Sequence, residues 1–307
     1  MDKSNIKKLI VILAVCIILF IGIKAGQFII EQAKIKPVKI NQKKLEKIEL
    51  VIPASSVHYF FVKRTNTWVG ILAGTPVEYL LDAKIVESQL VSGIANIKLT
   101  DIVSENSEKY NQYQVDDTAN GVIIKLYYTG NEKQPGEAFI IGKPGFDNSS
   151  VYFRYFNKKE IWLAKGIIRQ VLENNLDYWR EKCIYKADQT QIESVKFAPK
   201  GFELVLKGSD WYVIENGKEE KADSIKVLQY VQGISNFKID GFPGAAEKFT
   251  KPEYSITIKT KDKTNQILIS GVTKFQTRYV KLDTGPAVYF INEPSYNNFK
   301  KNPVDFK

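Results

Sequence analysis

Hydrophobic positions near the start of the chain form one unbroken run. The segment LIVILAVCIILFIGI carries no charge, and Lys8 and Lys24 flank it. Counted over residues 6–30, with Lys24 extending toward the interface, the stretch is long enough to cross a bilayer core of about 30 Å. We therefore predict a transmembrane helix within residues 1–30, followed by a basic juxtamembrane stalk over residues 31–46.

Two processing signals compete with this interpretation. A cleaved signal peptide needs spaced small residues before the cut, and IKAGQF contains no A-x-A pattern. A lipoprotein signal would use Cys16, but Val15 stands where a small residue is expected. The lysine count alone favours a cytoplasmic C-terminal side, because three lysines precede the run and six follow it within residues 34–47. Most of the later lysines fit a solvated stalk equally well. Because Lys7 and Lys8 abut the run directly, we expect a single-pass protein of the cell membrane with the bulk of the chain outside the cytoplasm.

A short stretch of sequence occurs twice in the remaining chain. SGIANIKL begins at Ser92, and QGISNFKI begins at Gln232. Upstream, KIELVIP parallels QIESVKF and NTWVGIL parallels SDWYVIE; downstream, GVIIKLYYT parallels YSITIKTK and AFIIGK parallels QILISG. The order of these pieces is preserved, which indicates an internal duplication of about 120 to 140 residues.

Each copy has the pattern of strands, then a helix, then more strands. Segments such as HYFFVKR and FELVLKG are rich in β-branched and aromatic residues, which favours strands. Apolar residues then recur at helical spacing, and Asp82 or Asp223 stands where a helix start needs a cap. We predict an α+β fold with two tandem repeats over residues 47–186 and 187–307, each an antiparallel sheet with one covering helix. A linking helix, GIIRQVLENNLDYWR, is expected at the end of the first repeat.

Nine residues serve as markers of the repeats. The repeated tryptophans are expected in the core, because the same position is aromatic in both copies. The glycine of each repeated octapeptide falls late in a helix, where it costs about 1 kcal/mol relative to alanine, so we expect close packing or a helix end. The asparagine that follows suits a left-handed or side-chain-capped exit turn. The markers are Trp68, Gly93, Asn96, Gly142, Arg180, Trp211, Gly233, Asn236 and Gly271.

The octapeptide is interpreted as a motif by which a helix leaves the sheet, and not as a site. The other two marker glycines, Gly142 and Gly271, lie at strand ends, where glycine permits unusual backbone angles. Arg180 follows a predicted amphipathic helix, so we expect an ion pair or a helix-end interaction there. A role for Arg180 in holding the two repeats at a fixed angle extends that expectation.

Several longer segments carry a family resemblance. They are the repeated strand with its tryptophan, KADSIKVLQYVQGISNFKI, FIIGKPG followed by VYFRYF, and the junction LDYWREKCIYKADQTQIESVKF. On these segments the chain resembles the family named domain of unknown function 4340. The resemblance implies a single-pass protein with a large extracytoplasmic domain, often found beside an ABC transporter and a gliding-motility-like subunit, and it implies no activity. The chain departs from the family pattern at Glu181, and VEYLLDAKIVES lacks the Ala-Asp pair in its expected place.

The charge distribution argues against nucleic-acid binding. The net charge is +10, and ten lysines against four acidic residues fall within residues 1–50, so most of the excess precedes the folded part. A nucleic-acid groove would concentrate lysine and arginine on the folded part. With one histidine, His58, and two distant cysteines, Cys16 and Cys183, we expect no disulfide, no metal and no cofactor.

Catalytic motifs are absent from the sequence. His58 follows Ser55 and Ser56, but neighbours in one strand alternate between faces, and no third partner is indicated. GKPGFDNSS matches neither a phosphate loop nor a dinucleotide fingerprint. Acidic pairs stand in turn-like or charged contexts, which indicates solvated side chains; they are Asp116–Asp117, Glu219–Glu220 and Glu105 with Glu108. We predict that the protein is not an enzyme.

Three functions remain open at this point. The first is a membrane-anchored extracytoplasmic accessory or scaffold protein, whose expected partners are subunits of an ABC-type transport system. The second is a module that binds cell-surface or cell-wall glycan through exposed aromatic rings. The third is an unrecognised hydrolase with an acid pair. A contiguous patch of exposed rings would favour the second, and two convergent buried carboxylates in a cleft would favour the third.

Overall fold

The chain forms two compact units, Met1–Arg180 and Glu181–Lys307, which are called unit 1 and unit 2. The computed structural model describes Leu13 and residues 17–24, 35–65, 67–131, 133–244 and 248–307. Each unit has a hydrophobic core of its own.

Unit 1 is built around a ten-stranded sheet whose neighbouring strands are all antiparallel. The spatial order is β1-β6-β10-β9-β8-β7-β2-β3-β4-β5. The strands are β1 (Lys36–Pro37), β2 (Leu45–Ile52), β3 (Val57–Arg64), β4 (Thr67–Leu72), β5 (Glu78–Leu80), β6 (Lys98–Ser104), β7 (Val122–Tyr128), β8 (Glu137–Pro144), β9 (Ser150–Tyr155) and β10 (Ile161–Lys165).

Unit 2 contains an antiparallel eight-stranded sheet and a separate strand pair. The order in the sheet is β15-β14-β13-β12-β17-β18-β19-β20, and β11 pairs with β16. The strands are β11 (Cys183–Lys186), β12 (Ile192–Ala198), β13 (Phe202–Lys207), β14 (Asp210–Glu215), β15 (Lys218–Lys221), β16 (Asn236–Lys238), β17 (Pro252–Thr260), β18 (Thr264–Val272), β19 (Thr277–Leu282) and β20 (Val288–Asn292).

The two units repeat one topology. Each strand of unit 2 occupies the place of the unit 1 strand whose number is lower by ten. Eight strands thus have the same spatial order in both sheets, β10-β9-β8-β7-β2-β3-β4-β5 in unit 1 and β20-β19-β18-β17-β12-β13-β14-β15 in unit 2. The pair β1-β6 corresponds to β11-β16. In unit 1 this pair continues the large sheet through β10, whereas in unit 2 only an isolated bridge from Gly241 to Phe290 joins the equivalent strands.

Strand pairing corrects the register of the first matched segment. Ile48 pairs with Leu126, and Val195 pairs with Ile258, so Ile48 corresponds to Val195 and not to Ile192 as the alignment of KIELVIP with QIESVKF implies. A β-bulge supports the shift, because it follows Leu45 in one unit and Ile192 in the other. The misalignment arises because the hairpin that follows is longer in unit 1.

One helix covers the sheet in each unit, and its start follows the predicted capping. Asp82 accepts hydrogen bonds from the backbone N–H groups two and three residues on, and Asp223 does the same in unit 2. The covering helix of unit 2 is regular over Ser224–Ile234. That of unit 1 consists of Ala83–Ile85, a π-helical stretch Val86–Val91, and Ser92–Ala95.

A short closing segment ends each unit in the same way. In unit 1 it is the helix Leu176–Trp179, and in unit 2 the 3-10 helix Pro303–Phe306, which follows the helix Glu293–Phe299. The backbone oxygen of Trp179 accepts a hydrogen bond from the N–H of Asp82 (2.8 Å), and that of Phe306 accepts one from Asp223 (2.7 Å). The closing aromatic residue therefore fixes the start of the covering helix in both units.

The predicted linking helix over residues 166–180 is wrong. The segment forms two one-turn helices, Arg169–Leu172 and Leu176–Trp179. Asn175 adopts an extended conformation between them and accepts a hydrogen bond from the N–H of Tyr178 at 3.1 Å. Asparagine offers the backbone a capping bond in place of the helical one, which ends the first helix and starts the second.

The predicted fold class is therefore wrong, because antiparallel strands dominate both units and the helices are short. Strands β5, β15 and β16 are not among the predicted strands, and they add to the strand content of the two units. Within the described residues, no helix has both the length and the apolar character needed to cross a membrane. The predicted transmembrane helix is therefore not shown, and most of its residues, 6–30, lie outside the described part. The described residues of the expected stalk begin at 35, and Lys36–Pro37 pairs with β6 in unit 1.

The repeated tryptophans are buried, as the duplication predicts. Trp68 lies in the core of unit 1 and Trp211 in that of unit 2. The backbone oxygen of Trp68 accepts a hydrogen bond from Leu81, and that of Trp211 accepts one from Ala222. Equivalent contacts thus connect β4 and β14 to the start of each covering helix.

Candidate functional site: a groove in each unit

The repeated octapeptide lines a cavity at the same place in both units. The unit 1 groove, of about 540 Å³, runs between Gln89, Gly93 and Asn96 on one side and Ile167, Val171 and Tyr178 on the other. The unit 2 groove, also about 540 Å³, runs between Gln229, Gly233 and Asn236 on one side and Asn298, Phe299 and Lys301 on the other. The octapeptide is thus both the exit of a helix and the wall of a groove.

Three groove residues are identical in type and spacing. A glutamine lies four residues before the glycine, and an asparagine lies three residues after it, in both units. The buried residues of the octapeptide, such as Ile94 and Ile234, are explained by the core. The glutamine, glycine and asparagine face the cavity instead, so packing of the core does not account for them.

The fold does not require glycine at the groove positions. A Cβ atom on Gly93 would lie 3.8 Å from Ile167 Cγ1, an ordinary contact, and one on Gly233 would meet nothing within 4 Å. Neither residue has a positive φ. The predicted close packing at these glycines is therefore wrong. What glycine provides at both positions is an open groove beside the helix.

Other glycines of the chain contrast with this pair. Gly166 has φ +102°, and a Cβ on it would lie 2.1 Å from the backbone oxygen of Asn96. A Cβ on Gly142, within β8, would lie 2.3 Å from the backbone oxygen of Tyr113. These residues are glycine for steric reasons. Gly271, near the end of β18, would meet only the carboxylate of Glu253 at 2.9 Å.

Neither groove asparagine adopts the predicted left-handed backbone conformation. Asn96 is the C-cap residue with φ −91° and ψ 6°, and Asn236 is the first residue of β16. Both side chains are exposed. The amide of Asn236 donates a hydrogen bond to Ser235 Oγ at 3.2 Å, which leaves its oxygen available to a ligand.

The covering helix of unit 1 contains one additional residue. Asn96 lies fourteen positions after the capping Asp82, whereas Asn236 lies thirteen after Asp223. The π-helical stretch Val86–Val91 accommodates the insertion, and Ser92 Oγ donates to the backbone oxygen of Glu87 at 2.7 Å. Single-turn π-helices of this kind often lie at functional sites. Here the insertion allows glutamine, glycine and asparagine to reach the groove in the same arrangement.

The two grooves differ in charge. The residues that line the unit 1 groove are all uncharged, and Tyr178 donates a hydrogen bond to Gln89 across it. The unit 2 groove contains Lys226, Lys238, Lys301 and one acidic residue, Asp305. The duplicated site therefore has one framework and two chemistries.

Arg180 contacts several residues of unit 1. Its guanidinium donates to Asp177 Oδ1 at 2.9 Å and lies 4.4 Å from the ring centroid of Tyr79. Its backbone forms a bridge with Leu81. These contacts attach the closing segment to the region where the covering helix begins.

A buried carboxylate lies away from both grooves, on β2. Glu49 is 6% exposed and accepts hydrogen bonds from Tyr127 and from Lys125 Nζ (2.9 Å), while His58 Nε2 lies 3.1 Å from it. Burial alone would raise the pKa of Glu49, but the bonds from Tyr127 and Lys125 and the nearby positive charge lower it overall. Burial and the bond to Glu49 raise the pKa of Tyr127 to about 12.

The sequence did not indicate this cluster, because its members come from three strands. Their register places them together, since Glu49 pairs with Lys125 and Val51 pairs with His58. The serine beside the histidine is not its partner, because Ser55 Oγ donates to the backbone oxygen of Ile52. Glu49 and His58 line neither groove, so we assign the cluster to stability.

Asp116, Glu219 and Glu220, three of the remaining acidic candidates, have structural partners. Asp116 Oδ1 accepts bonds from the backbone of Ala119 and Asn120, and these bonds outweigh the effect of burial and lower the pKa of Asp116. Glu219 pairs with Lys207, and Glu220 pairs with Lys307. No cluster of three histidine, cysteine or acidic residues suited to a metal occurs in the described part of the chain.

The loop GKPGFDNSS connects β8 to β9, as predicted. Asp147 accepts hydrogen bonds from the backbone of Ser149 and Ser150 and from both hydroxyl groups. The hydroxyl bonds, Ser150 first, lower the pKa of Asp147 to about 2. The donors of this loop are thus directed at its own carboxylate.

Comparisons with known proteins give a family and little else. The family model described as "Domain of unknown function (DUF4340)" matches residues 73–251. No curated protein matches the chain. Among solved structures, a "Putative DNA polymerase III beta subunit" from Eubacterium rectale is similar at 9% identity over 83% of this chain and 93% of that one, with a TM-score of 0.12. That likeness is too weak to indicate a shared fold.

Proposed function

Because the chain belongs to the DUF4340 family, we propose that it is a non-enzymatic accessory or scaffold protein whose two grooves bind a protein partner. The observation that carries the proposal is the pair of grooves. Each has glutamine, glycine and asparagine at the same spacing, and the fold does not require the glycine in either unit.

The location of the carboxylates supports a role without catalysis. Catalysis by an acid pair needs two groups that converge on bound substrate. The most buried candidate, Glu49, is neutralised by Lys125 and lies outside both grooves. The single acidic residue of the unit 2 groove, Asp305, caps the closing segment through the N–H of Asn302.

The partner that we propose is a component of an ABC-type transport system, and we place the interaction outside the cytoplasm. The support for both points is the family resemblance of the sequence. Each unit has a groove of its own, and on this proposal one chain offers two binding sites, for one partner or for two.

Glycan binding receives less support. Sugars are commonly held against exposed aromatic faces, and such rings are few in the described residues from 35 onward. The exposed ones are Phe146 and Phe275, one in each unit, and neither lines a groove. Trp162 is half-buried, with Lys36 Nζ 5.0 Å from its ring centroid.

A cysteine-directed crosslinker tests the proposed function. In a background with Cys16→Ser and Cys183→Ser, Asn96→Cys and Asn236→Cys would carry a membrane-impermeant maleimide photocrosslinker on intact cells. We expect both positions to capture a transporter subunit, because both side chains are exposed in a groove.

Thr118→Cys and Asp262→Cys are matched controls, since both residues are exposed and line neither groove. Equal capture from the control positions, or no partner from the groove positions, would contradict the proposed function. Labelling that requires permeabilised cells would contradict the extracytoplasmic location.

A further inference from the structure

We infer that the unit 2 groove binds an acidic segment of a polypeptide, an inference that rests on the proposed function of the grooves. Three lysines reach this groove from three separate elements. Lys226 lies in the first turn of the covering helix, Lys238 ends β16, and Lys301 follows the helix Glu293–Phe299.

Among the described residues, none of these ammonium groups pairs with an aspartate or glutamate side chain. No ion pair within 4.0 Å involves Lys226, Lys238 or Lys301, although fourteen such pairs occur in the described residues. Lys226 Nζ donates to the backbone oxygen of Lys307 at 2.7 Å, and Lys301 Nζ lies 5.9 Å from the ring centroid of Tyr230. Because three lysines and one aspartate, Asp305, line the groove, its lining has an excess of positive charge, which attracts an anionic ligand.

Amide groups indicate what kind of anion fits. Gln229 and Asn298 line the groove with side chains that make no hydrogen bond to any described residue, and Asn236 uses one donor only. An amide side chain both donates and accepts, and so does a peptide backbone. A phosphate group offers acceptors alone and would leave the amide oxygens without donors.

The aromatic residues of the groove argue for a peptide over an acidic sugar. Tyr230 is 7% exposed, and its hydroxyl donates to the backbone oxygen of Phe299 at 2.9 Å. Phe306 is 1% exposed, and the ring of Phe299 packs on Phe237 with centroids 4.2 Å apart. Tyr230 and Phe306 belong to the core, and Phe299 is partly buried against it, so the groove has little open aromatic face on which a sugar could stack.

Unit 1 provides an internal comparison. Three residues after the capping aspartate, unit 1 has Ile85 where unit 2 has Lys226. Later in the helix, unit 1 has Leu90 where unit 2 has Tyr230. With no charged residue in its lining, the unit 1 groove should not select an acidic ligand. The acidic segment is therefore assigned to unit 2 alone.

A binding measurement on the purified full chain tests the inference. The probe is a fluorescein-labelled ten-residue peptide of alternating glutamate and alanine, with the matching glutamine peptide as its control. We expect the glutamate peptide to bind more tightly, and more weakly as salt rises. The double variant Lys226→Gln, Lys238→Gln should weaken binding about 10-fold. The charge-matched variant Lys261→Gln, Lys274→Gln should leave it within about 2-fold, because both lysines are exposed outside the groove.

Three results would overturn the inference. They are equal binding of the two peptides, equal losses in the two double variants, and displacement of the peptide by inorganic phosphate or oligogalacturonate at matched charge concentration. If the peptide fails while the crosslinker at Asn236→Cys still captures a partner, the acidic ligand is wrong and the proposed function stands. If both fail, the groove is not a binding site.

Discussion

Trp179→Ala should lower the free energy of unfolding of unit 1 by about 3 to 5 kcal/mol, the range for deleting a fully buried large aromatic side chain. Trp179 is 0% exposed and packs edge-to-face on Phe61, with ring centroids 5.3 Å apart. Its backbone holds the N–H of Asp82 at the start of the covering helix. The loss therefore combines a core cavity with a loosened groove wall. Denaturant unfolding followed by far-ultraviolet circular dichroism measures it.

Two variants serve as controls for this change. Trp179 Nε1 is buried and has no hydrogen-bond partner among the described residues. Trp179→Phe therefore removes an unsatisfied donor together with some volume and should cost much less than alanine. Phe306→Ala makes the equivalent change in unit 2 and should destabilise that unit comparably. A loss below about 1 kcal/mol for Trp179→Ala would contradict the role given to the closing segment.

Glu49→Gln should lower the free energy of unfolding of unit 1 by about 2 to 4 kcal/mol at pH 7. The substitution removes the negative charge to which Lys125 and Tyr127 both donate hydrogen bonds. The glutamine amide also directs an N–H donor at these two donors, where the carboxylate offered acceptors only. The pKa of Glu49 is below its ordinary value of 4.5 in the folded protein. Its contribution to stability is therefore present above pH 4.5 and is lost as the pH falls through the lower, folded pKa.

The pH dependence distinguishes a charge effect from a packing effect. The difference between the natural protein and Glu49→Gln should shrink below pH 4.5 in denaturant titrations run at several pH values. Glu46→Gln, on the same strand, removes a half-exposed acid that accepts a bond from Thr129, and it should cost less than about 0.5 kcal/mol. A difference that stays constant from pH 7 to pH 3 would show that the charge of Glu49 is unimportant.

Some of the fold follows from the sequence for clear physical reasons. Asp82 and Asp223 stand at helix starts because a short carboxylate accepts the free N–H groups there. Trp68 and Trp211 are buried because a large apolar ring at matching positions of one duplicated fold belongs to its core. Both inferences use local chemistry, which one sequence contains.

Other parts could not be predicted, because they depend on pairing. Strand β15 reads KEEK, and all four residues are exposed, so its sequence has no apolar alternation; as an edge strand it is fixed by backbone bonds to β14. The length of the linking helix is overestimated because Asn175 interrupts a segment with helical periodicity.

The grooves show the same limit. The low helix propensity of glycine makes Gly93 and Gly233 unfavourable in a helix, but it does not explain why glycine is present there. Only the structure shows that space beside them is open. Lys301 and Asn298 reach the unit 2 groove from a segment more than sixty residues after Asn236, and no local pattern connects them. A signal was nevertheless available, since the octapeptide is preserved at exposed positions as well as buried ones.

The claim that the grooves are binding sites is tested most directly by filling them. In the double variant Gly93→Leu, Gly233→Leu, each leucine replaces the glycine on a helix with room beside it, and leucine is the better helix former by up to about 1 kcal/mol. Capture of the partner through Asn236→Cys and the unfolding midpoint would be measured on the same protein. We predict an unchanged or higher midpoint together with loss of capture. A lower midpoint, or capture at the original level, would contradict the account.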